Sequence, residues 1–140
     1  MRVIFTNGCF DILHIGHVKL LEHCHKLAHR QLHGGQGKVV VGLNSDASIK
    51  RIKGDSRPIN TEADRMYVLE SMKYVDEVIL FDEDTPYNLI KKLTPDTIVK
   101  GGAYTPENVV GSDIAEVSIF NFIDGYSSTS ILERMAYGSD

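Results

Sequence analysis

The chain has 140 residues, of which 42% are hydrophobic and 24% are charged, and its formal net charge is −4 with two cysteines. This length argues for one domain over residues 1–140, and the negative charge argues against a nucleic-acid-binding surface, which is normally basic. No apolar run reaches the ~18 residues of a membrane span and no secretory signal is recognised, so we expect a cytoplasmic protein with no membrane partner and no disulfide.

The first predicted elements are a buried strand at Val3–Phe5 and a helix at 16–31, whose apolar residues recur at spacings near 3.6. Between them lies the connection Asn7-Gly8-Cys9-Phe10-Asp11-Ile12-Leu13-His14-Ile15-Gly16-His17. In an open α/β sheet such a connection lies at the carboxyl ends of the strands, where ligands bind. His14 and His17 point the same way from a starting helix turn, and the free N–H groups of that turn favour an anion. The pattern predicts a phosphate site.

A second buried strand is predicted at Lys38–Leu43, and Asn44-Ser45-Asp46 follows it with turn and capping residues. The next segment carries four cations within eight residues: Lys50, Arg51, Lys53 and Arg57. On a chain of net negative charge, this cluster is the predicted partner of a triphosphate. Gly54 and Pro58 indicate that the cluster is a loop able to fold over a ligand.

The next helix is predicted to begin with Thr61 as its N-cap. Arg65 lies near the first turn of this helix, as either a ligand contact or a surface arginine. A short helix is predicted at Pro86–Leu93, with proline in its first turn. A last helix opens at Ser127-Ser128-Thr129, whose hydroxyl groups can cap the helix or donate to a phosphate.

Three further strands are predicted at Val75–Phe81, Thr97–Lys100 and 117–122. Lys100 and the following Gly101-Gly102 would then lie at the same ligand edge as the histidines. Strands that alternate with helices predict an α/β fold, a Rossmann-like open sheet with helices on both faces. We expect five mainly parallel strands in the order 3-2-1-4-5, with the ligand edge between strands one and four.

The histidine segment resembles the Gly-x-Phe-Asp-x-x-His-x-Gly-His signature of the cytidylyltransferase-like nucleotidyltransferases. The matching residues are Gly8, Phe10, Asp11, His14, Gly16 and His17. The resemblance implies an enzyme that transfers a nucleoside monophosphate from a nucleoside triphosphate to a phosphorylated sugar or polyol and releases pyrophosphate. It also implies Mg²⁺ carried by the triphosphate, and a homodimer.

Other segments resemble one branch of that superfamily, the heptose 1-phosphate adenylyltransferase domain, which is often fused to a sugar kinase in lipopolysaccharide-core biosynthesis. They are Asn44-Ser45-Asp46, Lys50–Pro58, Arg65-Met66, Glu83–Pro86, Val99–Gly102 and 124–129. This chain looks like a stand-alone form, but Ala103 replaces the acid that the branch usually carries there. The alternatives are a glycerol-3-phosphate cytidylyltransferase, although Phe122 replaces an arginine of its signature, and a non-catalytic nucleotide-binding protein.

The resemblance implies a role for each matching residue. The catalytic residues are His14 and His17, which would donate to the α-phosphate, and Lys50 and Lys53, which would neutralise the pyrophosphate. The nucleotide-binding residues are Asn7, Gly8, Cys9, Phe10, Asp11, Gly16, Asn44, Lys100, Gly101, Gly102, Ser127, Ser128 and Thr129. The substrate-binding residues are Asp11, Arg51, Arg57, Arg65, Ala103 and Tyr104. Asp11 would orient a histidine or lie near the metal, and no protein residue is assigned as a metal ligand. His17 is expected to act protonated, starting from a pKa of roughly 6.5.

Overall fold

The computed structural model describes residues 1–30, 35–121, 131–132 and 135. Five parallel strands form one sheet: β1 (Arg2–Gly8), β2 (Gly37–Asn44), β3 (Glu77–Phe81), β4 (Thr97–Gly101) and β5 (Glu116–Phe120). Their order is β3-β2-β1-β4-β5, and every neighbouring pair is parallel. The predicted order is confirmed, with β1 at the centre of the sheet.

The helices that connect these strands are α1 (Ile15–Ala28), α2 (Asp46–Lys53), α3 (Glu62–Glu70) and α4 (Tyr87–Leu93), with a short 3-10 turn at Pro106–Asn108. The predicted elements at Phe122 and at Ser127-Ser128-Thr129 lie outside the described residues. Within the part of the chain that the structure describes, no helix is long and apolar enough to cross a membrane.

The core lies on both faces of the sheet because buried strand residues alternate between them. Ile4 and Val39 pack with Leu21 of α1 and Leu69 of α3 on one face. On the other face, Phe5, Val40 and Ile98 pack with Ile90 of α4. The helices therefore cover both faces, as predicted for an open α/β sheet.

The two cysteines are both free thiols. Cys24 is fully buried on α1, and burial raises the pKa of its thiol to about 12. Cys9 is half-buried in the connection after β1. The expected absence of a disulfide between them agrees with this placement.

The cation cluster that we predicted as a loop is mostly helical. Helix α2 extends to Lys53, and only residues 54–60 form the loop before α3. Ser45 caps the start of α2 by accepting a hydrogen bond from the Ser48 N–H, and Ile49 is buried beneath it. Gly54, with a φ of 98°, ends the helix. Gly54 and Pro58 do lie in a loop, as predicted. This loop begins only after the helix, so Lys50, Arg51 and Lys53 lie on α2.

Candidate active site

His14 and His17 stand at the start of α1 and cap it reciprocally. His14 is the N-cap residue, and its Nδ1 accepts a hydrogen bond from the Gly16 N–H at 3.0 Å. The Nδ1 of His17 accepts from the His14 N–H at 3.2 Å, and the two ring centroids lie 4.1 Å apart. Because each Nδ1 accepts a backbone proton, each neutral ring carries its own proton on Nε2. The capping geometry therefore gives both rings the same tautomer.

The pKa of both histidines is lowered by their surroundings. Burial lowers the pKa of His14. Burial, with smaller effects from the charges of His14 and Lys53, lowers the pKa of His17 to about 4. The expectation that His17 starts from an ordinary pKa is wrong for the ligand-free protein, because the ring is partly removed from water. At neutral pH, His17 is a neutral imidazole with a donor at Nε2.

A cleft of about 200 Å³ opens beside His17, at the carboxyl ends of β1 and β4. Its wall brings together many predicted site residues: Asn7, Gly8, Cys9, Phe10, His17, Lys100, Gly101 and Tyr104, together with Leu20. The Lys100 Nζ lies 5.3 Å from the Tyr104 ring centroid, and burial lowers the pKa of this lysine. The cleft therefore presents the Nε2–H donor of His17 and the ammonium group of Lys100, and both groups can bind an anionic ligand.

Phe10 separates this cleft from a second hollow. It adopts a positive φ of 47°, is 5% exposed, and its ring centroid lies 5.4 Å from that of His17. A Cβ atom at Gly8 would lie 3.1 Å from the Phe10 ring, so glycine leaves room for it. The second hollow has a volume of about 360 Å³ and is lined by Phe10, Asp11, Leu13, Asn60, Asp64, Arg65, Tyr67 and Val68.

Asp11 connects the histidine segment to the loop at 54–60. The residue is 5% exposed, and its carboxylate accepts hydrogen bonds from the Ile59 and Asn60 N–H groups, both at 2.8 Å. The Asn60 side chain donates back to the Asp11 carbonyl at 2.6 Å. Each carboxylate oxygen accepts one of these bonds, so Asp11 holds the loop, and its expected role beside a histidine or a metal stays a prediction. Sequence reasoning missed Ile59 and Asn60, because backbone N–H donors leave no residue-type signal.

Arg65 is buried, so the alternative prediction of a surface arginine is wrong. The residue is 2% exposed, and its guanidinium donates to the carbonyls of Cys9, Asn44 and Asn60 and to the carboxylate of Asp46. The donors reach these acceptors at 2.7 to 3.0 Å. Most of the guanidinium protons are therefore directed to the protein itself, although part of the side chain lines the second hollow.

The remaining predicted site residues do not line the cleft. Lys50 and Lys53 are exposed on α2, although the charge of Lys53 reaches His17. Arg51 pairs with Asp84 at 2.9 Å and also donates to the Asp82 carbonyl.

Other predicted contacts lie at the margins of the site. Asn44 is buried and donates to the Ser48 hydroxyl at 3.3 Å, while Arg57 is half-buried in the loop before α3. Gly102, with a φ of 111°, and the exposed Ala103 follow the cleft residue Gly101. Ser127, Ser128 and Thr129 lie outside the described residues.

Comparison with known proteins adds to this geometry. The model of the cytidylyltransferase-like family matches residues 5–134. Among curated relatives, the bifunctional protein HldE of a Nitratiruptor species is 55% identical over 135 residues, which are 96% of this chain and 28% of that protein. The bifunctional protein HldE of Campylobacter concisus is 53% identical over 135 residues, 96% of this chain and 27% of that protein. The chain thus spans little more than a quarter of the length of these relatives.

Two solved structures share the fold. A lipopolysaccharide core biosynthesis protein from Thermoplasma volcanium has a TM-score of 0.68 and 28% identity, covering 91% of this chain and 99% of that chain. A protein with unknown function from Archaeoglobus fulgidus has a TM-score of 0.59 and 19% identity, covering 86% of this chain and 98% of that chain. The second likeness is informative for the fold alone.

Proposed function

This chain belongs to the cytidylyltransferase-like family, and we propose that it transfers the adenylyl group of ATP to heptose 1-phosphate and releases pyrophosphate. The observation that carries the proposal is the fixed Nε2–H tautomer of His17, which lines a cleft that also presents Lys100, with the ring of His14 held in the same tautomer next to it. High identity to bifunctional HldE proteins and likeness to a lipopolysaccharide core biosynthesis protein support the heptose branch over the glycerol-3-phosphate branch.

The proposed reaction exchanges one P–O bond for another. A phosphate oxygen of the sugar phosphate attacks the α-phosphorus in line, and the bond to the β-phosphate bridging oxygen breaks. Pyrophosphate leaves with the electron pair of that bond. The attacking phosphate is already ionised, so no general base is required, and catalysis rests on positioning and charge stabilisation. His14 and His17 would donate from Nε2 to α-phosphate oxygens as their charge grows.

The leaving pyrophosphate requires positive charge. Lys50 and Lys53 lie on α2, and Lys53 is close enough for its charge to act on His17. We propose that these lysines neutralise the pyrophosphate together with Mg²⁺. Among the described residues, no group of three or more His, Cys, Asp or Glu side chains is arranged to hold a metal ion. We propose that triphosphate oxygens hold the ion, which would supply charge neutralisation there.

The two hollows offer separate places for the two substrates. We assign the nucleotide to the cleft beside His17 and Lys100, and the sugar phosphate to the larger hollow beyond Phe10. Phe10 forms part of both walls, so the reacting phosphates would meet at its edge. Homodimer formation stays a prediction.

A coupled pyrophosphate-release assay tests the proposal directly. Purified protein is given ATP, CTP or GTP with Mg²⁺, each in combination with heptose 1-phosphate, glycerol 3-phosphate or no acceptor. We expect pyrophosphate release to be fastest with ATP and heptose 1-phosphate and to be absent without an acceptor. Preference for CTP and glycerol 3-phosphate would favour the other branch. Nucleotide binding without release for any acceptor would favour a non-catalytic nucleotide-binding protein.

A further inference from the structure

The buried guanidinium of Arg65 joins three segments that meet at the carboxyl edge of the sheet. Its Nη1 donates to the Cys9 carbonyl at 2.7 Å and to the Asn44 carbonyl at 2.8 Å. Its Nε donates to the Asn60 carbonyl at 3.0 Å. The acceptors belong to the connection after β1, to the end of β2 and to the loop before α3. One side chain therefore fixes the relative positions of all three.

The charge of Arg65 is balanced within the same network. Its Nη2 donates to the Asp46 carboxylate at 2.7 Å, and the side chains are 1% and 30% exposed, respectively. A buried guanidinium without such a partner would be strongly destabilising. The planar fork of arginine can serve several acceptors at fixed angles, whereas the ammonium group of lysine is a compact point charge. The site therefore depends on arginine in particular, and not only on a positive charge.

The Cys9 carbonyl connects this network to the histidines. Phe10 follows it directly, with its positive φ of 47°, and packs its ring 5.4 Å from the His17 ring centroid. Asp11 comes next and is held by the N–H groups of Ile59 and Asn60. The peptide before Phe10 is thus anchored to α3 through Arg65, and the carboxylate after it is anchored to the loop that precedes α3. Little freedom remains in the backbone that leads to the histidine pair.

We propose that Arg65 is a positioning residue for nucleotidyl transfer. By holding the Cys9 carbonyl and the loop at Asn60, it sets the Phe10 wall and the orientation of His17 in the cleft. Part of its side chain lines the hollow assigned to the sugar phosphate, but it acts on turnover through these groups. This inference rests on the function proposed above, and it replaces the substrate contact that the sequence suggested for Arg65.

The test compares Arg65→Lys and Arg65→Ala with the wild-type chain. We expect kcat to fall on the order of 10²-fold, which is the cost of a small misplacement of a catalytic group, while the nucleotide Kd changes little. Guanidinium ions added to Arg65→Ala should restore part of kcat, and the same concentration of ammonium ions should not. If Arg65→Ala does not fold, Asp46→Asn takes its place in the comparison. This substitution removes the charged partner and leaves the arginine in place.

Leu69→Val is the matched control, because Leu69 is fully buried on the same helix and lies in the core. It should lower stability while kcat per folded molecule stays at the wild-type value. An Arg65→Lys variant with wild-type kcat would overturn the inference. So would a loss confined to the KM of the sugar phosphate, because that result would make Arg65 a substrate contact.

A second readout separates this inference from the proposed function. Long-range ¹H–¹⁵N spectra of the histidine rings report tautomer and environment without any substrate. The wild type should show the Nε2–H tautomer for His17, Arg65→Lys should shift the His17 signals, and Leu69→Val should not. Wild-type protein that releases no pyrophosphate would refute the proposed function while this comparison still decides the role of Arg65. Unchanged His17 signals in Arg65→Lys would overturn the inference.

Discussion

At the scale of single residues, His17 uses its two ring nitrogens for different purposes. Nδ1 accepts the His14 N–H and completes the cap of α1, which leaves the proton on Nε2. The ring is neutral near pH 7, since burial lowers its pKa to about 4. A neutral imidazole with a fixed tautomer donates one hydrogen bond in one direction, which suits a group that must meet a developing charge. His17 therefore combines a structural role as part of the helix cap with its proposed chemical role as a hydrogen-bond donor.

Substitution of His17 can separate these roles. The oxygen of His17→Asn can replace Nδ1 as the capping acceptor, but its amide does not extend to Nε2. We expect this variant to fold and bind ATP while turnover falls on the order of 10²–10³-fold, the usual cost of losing one preorganised donor. His17→Gln, whose amide nitrogen reaches the Nε2 position, should recover part of kcat. Steady-state kinetics and nucleotide titration measure both effects. Normal turnover with weakened binding in His17→Asn would make His17 an anchor for the ground state.

The residue identities of the cleft were largely predictable, but their connections were not. His17, Lys100 and Tyr104 share the cleft as the spacing and the family resemblance indicated. Arg65 gave no sign of burial, because an arginine in the first turn of a helix is ordinarily solvated. Its acceptors are carbonyls of Cys9, Asn44 and Asn60, which every residue possesses. Only the tertiary structure shows that they converge.

At the scale of elements, the loop at 54–60 is held at one end and open at the other. Ile59 and Asn60 are bonded to Asp11, while Gly54 and Asp55 are exposed. The preceding helix was missed by sequence reasoning because its cations and the nearby glycine and proline favoured a loop. The sequence indicates Ser45 as a capping residue. Ile49, which lies four residues later and is buried, is a further indication of a helix that the prediction did not take into account. Lysines on a helix are presented in fixed directions, which a loop would not provide.

Tryptic cleavage tests how this loop is held. The bond after Lys53 is the expected site, because the Arg57 bond precedes proline. In Asp11→Asn, the amide oxygen can accept one of the two backbone N–H groups, but the amide N–H₂ faces the other, where the carboxylate accepted both. We expect faster cleavage than in the wild type, and slower cleavage of the wild type when nucleoside triphosphate and Mg²⁺ are present.

Asp55→Asn is the control for this experiment, because it changes the same charge within the exposed part of the loop. Its cleavage rate should match that of the wild type. Equal rates in Asp11→Asn and the wild type would show that the carboxylate does not hold the loop. An unchanged rate in the presence of nucleotide would count against closure of the loop over the ligand.

At the scale of the whole molecule, the site follows from the strand order. β1 lies between β2 and β4, and parallel strands direct their carboxyl ends to one edge. The end of β1 leads into the histidine segment, and the end of β4 presents Lys100 and Gly101. Alternating strands and helices made this order predictable, since right-handed crossovers leave few other topologies. The hollow beyond Phe10 was not predictable, because it depends on how α3 packs beside the connection after β1.

The burial of the histidine rings makes the folded protein less stable in acid. The pKa of His14, His17 and His23 is lowered in the folded protein, in each case first by burial. In the unfolded chain these rings titrate near 6.5, whereas folded His17 titrates at about 4. Between these pH values the unfolded state binds more protons, so the free energy of unfolding rises with pH across this interval. The stabilisation is fully present above pH 6.5 and is lost as the pH falls toward 4.

Urea unfolding at a series of pH values tests this linkage, with His17→Asn as the comparison. The variant keeps a capping acceptor and has no group at this position that titrates in the interval, so its free energy of unfolding should depend less steeply on pH than that of the wild type. The wild-type free energy of unfolding minus that of the variant should be constant above pH 6.5 and should fall as the pH decreases from 6.5 toward 4. Parallel curves over the whole interval would show that His17 is not desolvated in the folded protein, and the neutral donor proposed for the cleft would then lack its physical basis.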